Sequence, residues 1–129
     1  MIKLIGTEFH KGIEYNVFLL TGIATGRGKA GYVGVGDGFL YRGQLTVNAG
    51  ETPGGKALIV QVKVWNKRGE IVRGFSKGDS VLVIGSMDST EWEGKRWIRM
   101  RASYISNESN KFREYEDDEA LPEEEKDER

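Results

Sequence analysis

Two segments of the chain place a tryptophan beside positively charged side chains. Trp65 follows Lys63 by two residues, and Trp97 lies between Lys95 and Arg99. An exposed indole ring gives a base a flat surface on which to stack, and a neighbouring cation can hold the adjoining phosphate. These residue types at this spacing therefore indicate a surface for single-stranded nucleic acid. For either segment alone, the alternative is a half-buried strand whose tryptophan packs on a neighbouring loop.

The first segment, residues 57–65, has the two-residue period of a β-strand. Its predicted apolar face consists of Leu58, Val60, Val62 and Val64. Successive side chains of a strand point to opposite faces, so Lys63 and Trp65 share the other face. The chain is predicted to be organised around this segment, because it supplies both a buried face and a face suited to binding.

The segment 95–105 repeats this pattern. One face is predicted to hold Ile98, Met100, Ala102 and Tyr104, and the other Lys95, Trp97, Arg99, Arg101 and Ser103. The same combination of an indole ring and cations on one face of two different strands favours a binding face over packing.

Glycine occupies six of the 14 positions from 25 to 38. Each glycine inside a helix costs about 1 kcal/mol relative to alanine, so the segment is predicted to be a long, pliable hairpin loop. Part of it matches the G-x-G-x-x-G pattern of dinucleotide sites, with Gly26, Gly28 and Gly31. Such a site needs a helix after the third glycine, and the residues that follow cannot form one. Arg27, Lys29 and Tyr32 instead suit an arm that closes over a strand of nucleotides.

Three further strands and one short helix complete the predicted order of elements. The strands are predicted at 15–24, 39–48 and 80–87, the helix at 70–75, and a polar hairpin loop with Trp92 at its tip at 88–94. Within the second of these strands, Phe39, Tyr41, Leu45 and Val47 fall on an apolar face. Arg42 falls on the opposite, largely polar face.

The net charge of −1 conceals two regions of opposite sign. Residues 1–107 carry 15 Lys and Arg against 9 Asp and Glu, and residues 108–129 carry 4 against 11. The first region is long enough for one domain with a hydrophobic core. The second has little to bury and is predicted to be a disordered acidic tail. Such a tail is a solvated extension, or it mimics nucleic-acid charge and competes for the basic body or docks on a partner.

The composition argues against catalysis and against a membrane anchor. The chain has no cysteine and one histidine, His10, so disulfides, thiolate metal sites and cysteine nucleophiles are excluded. The acidic residues of the body are scattered, and no short catalytic motif is present. No segment approaches the length of a membrane span. We therefore expect a soluble, cytoplasmic protein that is not an enzyme and needs no metal or cofactor.

Five strands with a short helix between the third and fourth is the order of an OB-fold, a small all-β barrel that recurs among oligonucleotide binders. More specific stretches are Asn-Val-Phe-Leu-Leu-Thr-Gly at 16–22, Val-Gln-Val-Lys-Val-Trp at 60–65, Lys-Gly-Asp-Ser-Val-Leu-Val-Ile-Gly at 77–85, and Trp92 followed by Gly94 and Trp97. Through these stretches the chain resembles the bacterial and phage single-stranded DNA-binding protein family. The likeness covers roughly residues 15–106.

The resemblance implies that Trp65 and Trp92 stack on bases while nearby Lys and Arg side chains hold phosphates. It also implies a homo-oligomer, a tetramer or else a dimer, that wraps single-stranded DNA. Replication and repair proteins would be partners of the acidic tail. The chain departs from the family pattern at Ile59, where the family has an aromatic residue. It departs again at its end, which lacks an aspartate run closed by Pro-Phe.

The predicted function is sequence-independent binding and protection of single-stranded DNA in replication, recombination and repair. The predicted binding residues are Lys29, Tyr32, Arg42, Lys63, Trp65, Trp92, Lys95, Trp97, Arg99 and Arg101. The alternative from another class is an OB-fold adaptor for a primosome or recombination protein, which would bury Trp65 and Trp97 in a subunit contact. RNA binding is a third possibility, because the sequence does not distinguish RNA from DNA.

Overall fold

The computed structural model describes residues 1–92 and 95–109, and of residues 90–92 and 95–97 it describes the backbone alone. The strands are β1 (Ile2–His10), β2 (Ile13–Ala24), β3 (Lys29–Val35), β4 (Gly38–Glu51), β5 (Ala57–Trp65), β6 (Ser80–Trp92) and β7 (Lys95–Asn107). A short 3-10 helix, η1, spans Asn66–Gly74. The predicted all-β class with one short helix is confirmed.

Five of these strands close into a ring. β2 pairs with β4, β4 with β5, β5 with β7, β7 with β6, and β6 with β2. The pair of β5 and β7 is parallel, and the other four pairs of the ring are antiparallel. The five strands of the ring are the five that the sequence predicts, with the helix between the third and the fourth, so the predicted OB-fold is confirmed. β1 and β3 extend the sheet beyond the ring at β2 and β4.

The N-terminal strand β1 is absent from the sequence prediction. It forms a hairpin with β2, in which His10 lies opposite Ile13. Lys11 and Gly12 turn the chain between them with φ angles of 52° and 78°, as two-residue hairpin turns require. The apolar residues of this segment do not alternate regularly, so pairing with β2 rather than periodicity makes it a strand.

The predicted glycine-rich loop is wrong in its central part, which forms β3. This strand pairs residue by residue with the first half of β4, and the hairpin between them turns at Gly36 and Asp37. Glycine disfavours a strand because it has no side chain to pack, but the backbone of β4 supplies hydrogen bonds that local propensity does not predict. The strand runs through Gly31, where a dinucleotide site would begin a helix.

The interior of the ring contains the apolar face predicted for β5. Val60, Val62 and Val64 are at most 2% exposed. Burial of each valine contributes about 1.5–3 kcal/mol relative to leaving it in water. Lys63 and Trp65 point to the opposite face and are only partly buried, as the alternation predicts.

The predicted apolar face of β4 is buried only in its second half. Leu45 and Val47 are at most 1% exposed, whereas Phe39 is 75% exposed. The hairpin of β3 and β4 extends past the core at this end, so its side chains have no interior to enter.

One predicted core residue of β7, Tyr104, is instead 47% exposed. The register shifts here: Tyr104 lies opposite Ile84, but Ala102 lies opposite the next residue of β6, Gly85. Ser103 is therefore an extra residue, and such a bulge reverses the face of the side chains that follow it. Strict alternation along the whole of β7 was the wrong assumption.

The predicted loop at 88–94 is also wrong over residues 88–92, which belong to β6 and pair with the start of β7. The polar residues of this part indicated a loop, but a two-stranded ribbon beyond the core needs no apolar face. Glu93 and Gly94 lie outside the described residues, and so do residues 110–129 of the predicted acidic tail.

η1 begins before the predicted helix and packs closely on β4. A Cβ atom on Gly43 of β4 would collide with the backbone of Gly69 in η1, so the two glycines allow the two backbones to touch. Over the described residues, no helix has the length and apolar character needed to cross a membrane.

Candidate nucleic-acid interface

The strand register brings polar and charged side chains from four strands into one row. Lys29 of β3 lies opposite Gln44 of β4, Gln44 lies opposite Lys63 of β5, and Lys63 lies opposite Arg101 of β7. The alternate positions of β4, β5 and β7 carry the buried core, so this row lies on the outer face of the ring. Residues far apart in the sequence thereby form a continuous basic row across the sheet.

Trp65 lies next to this row and contacts Arg42, its partner in the register of β4 and β5. The guanidinium carbon of Arg42 is 5.7 Å from the centre of the indole ring, within the range of a cation–π interaction. Nη2 of Arg42 also donates a hydrogen bond of 3.2 Å to Oε1 of Gln44. The indole is therefore held at the surface with a cation against it, and it is not part of the hydrophobic core.

A groove of about 380 Å³ runs beside the indole ring. Four of the predicted binding residues line it: Lys63, Trp65, Arg99 and Arg101. Tyr15 of β2 lines the same groove and was not predicted as a binding residue. These four side chains of β5 and β7 lie at one surface, and their contacts with nucleic acid stay a prediction.

The cations of this groove raise one another's electrostatic energy. Burial lowers the pKa of Lys63 below its ordinary value, and the positive charges of Arg42 and Arg99 lower that pKa further. Asp88 opposes this effect and forms an ion pair with Arg99, in which Nε lies 3.1 Å from Oδ1. Both partners of the ion pair are accessible to water, so the pair is weak and can give way to a phosphate.

A second hollow, of about 340 Å³, lies between β3 and β4. Arg27, Lys29 and Arg42 line it, together with the polar residues Gln44 and Thr46. Arg42 therefore belongs to this hollow and also contacts Trp65. The contact between Arg42, which lines the second hollow, and Trp65, which lines the groove, thus links the two hollows.

Tyr32, another predicted binding residue, is among the residues that line the second hollow. It lies opposite Tyr41, and strand alternation puts its ring on the face of β3 away from Lys29 and Gly31. The sequence placed Tyr32 in a loop, where no face could be assigned.

The remaining predicted residues lie in the ribbon formed by the end of β6 and the start of β7. In the backbone register, Trp92 lies opposite Lys95, and Trp97 lies opposite Thr90. The side chains of these residues are outside the described part, and their roles in binding remain predictions.

Gln44 and Thr46 were missed as candidate binding residues, although the sequence contained a signal for them. Both share the parity of Arg42 in β4, which is the face predicted to be polar. Tyr15 gave no such signal, because its place in the groove depends on how β2 crosses the ring.

Within the described residues, no group of three or more histidine and carboxylate side chains could hold a metal ion.

Solved structures with this fold include single-stranded DNA-binding proteins. The SSB domain of a Synechococcus protein matches with a TM-score of 0.55 at 10% identity, over 75% of this chain and 98% of that chain. The second SSB of Mycobacterium smegmatis matches with a TM-score of 0.51 at 24% identity, over 74% and 88%. The wild-type single-stranded DNA binding protein of Thermus aquaticus matches with a TM-score of 0.50 at 22% identity, over 77% and 43%.

These similarities are structural rather than close in sequence. No family model matches the chain. No curated protein matches it in sequence either. At identities of 10–24%, the solved structures show that the chain shares its fold with these proteins.

Proposed function

We propose that this protein binds single-stranded DNA without sequence preference and protects it during replication, recombination and repair. The observation that carries the proposal is the groove in which Trp65 lies with Lys63, Arg99 and Arg101 on the outer face of a closed ring. The shared fold with single-stranded DNA-binding proteins supports the same conclusion. Stacking needs only the flat face of a base, so binding of this kind tolerates any sequence.

The arrangement assigns separate roles to the rings and to the cations. A base stacks on Trp65, whose ring is held by Arg42. Lys63 and Arg101 neutralise phosphates along the row that crosses the strands, and Lys29 continues that row on β3. Arg99 exchanges its ion pair with Asp88 for a phosphate. Trp92, Lys95 and Trp97, whose backbone belongs to the β6–β7 ribbon, are proposed to contact further nucleotides.

The experiment that tests this proposal is a fluorescence titration of the full chain with oligo-dT. We expect quenching of tryptophan emission, weaker competition by duplex DNA, and a fall in affinity with added salt. The Trp65→Phe variant retains an aromatic ring and should lose the share of the quenching that comes from Trp65 while keeping most of the affinity. Unchanged emission with oligo-dT, or equal competition by duplex, would contradict the proposal.

Matched DNA and RNA oligonucleotides separate the two classes of single strand. The grooves described here hold bases and phosphates, which both polymers share, and the 2′-hydroxyl is the group that distinguishes them. We expect tighter binding of DNA. Labelled single strands incubated with the protein and divalent metal ions should stay intact, because we propose a binding protein and not an enzyme.

We also propose a homo-oligomer, a tetramer or else a dimer, assembled through the N-terminal hairpin. Among the described strands β1 pairs with β2 alone, and the hairpin exposes large apolar side chains: Leu4, Ile5, Phe9, Ile13 and Tyr15. An exposed apolar edge strand favours pairing with a second chain. Measurement of the mass of the free protein by light scattering tests this proposal, and a monomer at micromolar concentration would contradict it.

The acidic tail is proposed to contact replication and repair proteins and to compete for the basic groove. A variant that ends at Ser109 tests the competition and retains the hydrogen bond from the Ser80 N–H to Oγ of Ser109. Removal of the tail should tighten DNA binding at low salt, where charge repulsion acts over a longer range. If the truncated variant and the full chain bind DNA equally at all salt concentrations, recruitment of partners remains the proposed role of the tail.

A protein-interaction adaptor is the second candidate, and one observation favours it. A hollow of about 380 Å³ beside η1 is lined by Val64, Ile71, Tyr104 and Ile105, with Lys67 and Arg68 at the same place. Apolar walls with adjoining cations suit an acidic, partly apolar peptide. If the protein is only an adaptor, oligonucleotides will leave the fluorescence of Trp65 unchanged.

A further inference from the structure

Two strongly exposed aromatic side chains lie outside the groove, on the hairpin of β3 and β4. Tyr32 and Phe39 are each 75% exposed. Tyr32 lies opposite Tyr41, and Phe39 lies opposite Gly34, so strand alternation puts both exposed rings on one face of the hairpin in diagonal positions. This face is opposite the one that carries Lys29, and Tyr32 also lines the hollow at Arg42.

The ring of Tyr32 is held in place by a chain of contacts to η1. It meets the ring of Tyr41 edge to face, with centroids 5.1 Å apart. The Tyr41 hydroxyl donates a hydrogen bond to Glu70, which raises the pKa of Tyr41 above its ordinary value. Arg73 forms an ion pair of 2.9 Å with Glu70 and donates to the Ala30 carbonyl of β3 at 3.0 Å. A ring fixed in this way loses little conformational freedom when a ligand stacks on it.

Space for a ligand lies directly beside the rings. A Cβ atom built on Gly34, which shares the face of the two rings, would have no atom within 4 Å, and the same holds for Gly31 on the opposite face. Among the described strands β3 is also the last of the sheet, so none of them covers its outer edge. A chain of nucleotides can therefore pass from the hollow at Arg42 over the glycine-rich edge of β3 to the aromatic face.

The charges of the hairpin favour a polyanion over a second copy of the protein. From residue 27 to residue 42 the chain carries Arg27, Lys29 and Arg42 against a single acid, Asp37. A second copy docking through the same hairpin would place these cations against each other. A nucleic acid would bring phosphates to them and bases to the exposed rings.

We propose that Tyr32 and Phe39 form a second base-stacking surface, which takes the same single strand of DNA after it leaves the groove at Trp65. This inference rests on the proposed function and extends it, because it assigns the hairpin a share of the bound nucleotides. The hairpin then determines how many nucleotides one protein chain covers.

The test compares Phe39→Ala and Tyr32→Ala with wild type on two lengths of oligo-dT, about 5 and about 16 nucleotides. The matched control is Phe9→Ala, which removes an equally exposed ring (73%) from the N-terminal hairpin. For the longer oligonucleotide we expect affinity to fall about 5-fold or more in each hairpin variant, with a smaller number of nucleotides covered per chain. For the shorter one, read by quenching of Trp65, affinity should stay within 2-fold of wild type.

The outcomes separate this inference from the proposed function. If wild type fails to quench with either oligonucleotide, the proposed function fails. If wild type binds and both hairpin variants bind the longer oligonucleotide as wild type does, the second surface is overturned. A change in the mass of the free protein in Phe39→Ala, without loss of affinity, would overturn it in favour of a contact between copies.

Discussion

The groove at Trp65 and the N-terminal hairpin both present an aromatic ring at the surface, but their neighbours differ. Around Trp65 the nearby charged groups are mostly cations, with Asp88 as the acid. In β1 and the start of β2, Lys3 and Lys11 are balanced by Glu8 and Glu14, and the exposed large apolar side chains around Phe9 are Leu4, Ile5, Ile13 and Tyr15. The charges around an exposed ring, rather than the ring itself, therefore indicate what the ring will contact.

The two regions also differ in the energy that a ligand would release. Burial is the main cause of the lowered pKa of Lys63, and repulsion by Arg42 and Arg99 lowers it further, so a polyanion on this face would relieve part of that effect. The N-terminal hairpin has no such excess of charge, and what it can gain is removal of apolar area from water. The groove at Trp65 therefore suits a nucleic acid, and the N-terminal hairpin suits a second protein chain.

Removal of the two rings should give the largest contrast. Trp65→Ala is expected to weaken binding of oligo-dT by about 1–3 kcal/mol, or about 5-fold to 150-fold, because a stacking surface is lost. Phe9→Ala should leave the affinity for oligo-dT unchanged. Fluorescence anisotropy with a labelled oligonucleotide measures both variants, and an equal loss in both would remove the distinction between the two regions.

A charge placed on the N-terminal hairpin tests whether this hairpin contacts a second protein chain. Phe9→Asp removes an apolar contribution of about 1.5–3 kcal/mol from any contact made there and adds repulsion between copies. We expect a lower mass by light scattering with an unchanged affinity for a short oligonucleotide. Dissociation together with loss of binding would mean that the groove depends on the assembly.

Neutralising the cations one at a time should produce a smaller, salt-dependent effect. Lys63→Gln and Arg101→Gln are each expected to reduce the magnitude of the slope of log affinity against log salt by about 0.7, the value for one phosphate on a single strand. Lys11→Gln in the N-terminal hairpin is the matched control and should leave the slope unaltered. Equal slopes in all variants would show that these side chains do not hold phosphates.

The smallest expected effect is a dependence on pH that comes from Lys63. Its pKa is lowered by burial and by Arg42 and Arg99, so in the free protein it loses its proton at a lower pH than an ordinary lysine. Phosphate binding favours the protonated form, and affinity should therefore fall as the pH rises toward the lowered pKa. Lys63→Arg should abolish this fall, and an unchanged alkaline profile in that variant would assign the effect to another group.

Most of the ring was predictable because its central strands alternate with period two. Val60, Val62 and Val64 enter the core, and Lys63 and Trp65 face outward, since a closed sheet gives each strand one inner and one outer face. This local rule also placed Arg99 and Arg101 on the outer face of β7. The acidic tail and the side chains at 90–97 were not tested by the structure.

The failures of prediction have non-local causes. β3 forms because β4 pairs with it, and no property of the glycine-rich segment alone reveals that partner. Tyr104 turns outward because a bulge inserts Ser103, which alternation cannot detect. Tyr32 was predicted to bind in an arm, and the face that it occupies could be known only once its segment was known to be a strand.

The parallel pairing of β5 with β7 affects the order in which the protein folds. Lys63 and Arg101 become neighbours only through this pair, whose members are separated in the chain by η1 and β6. Contacts between distant parts of a chain form late, because they cost more loop-closure entropy than hairpins do. A newly made chain would thus bring Lys63 beside Arg101 only at the end of folding, and half-folded copies would lack the proposed binding groove.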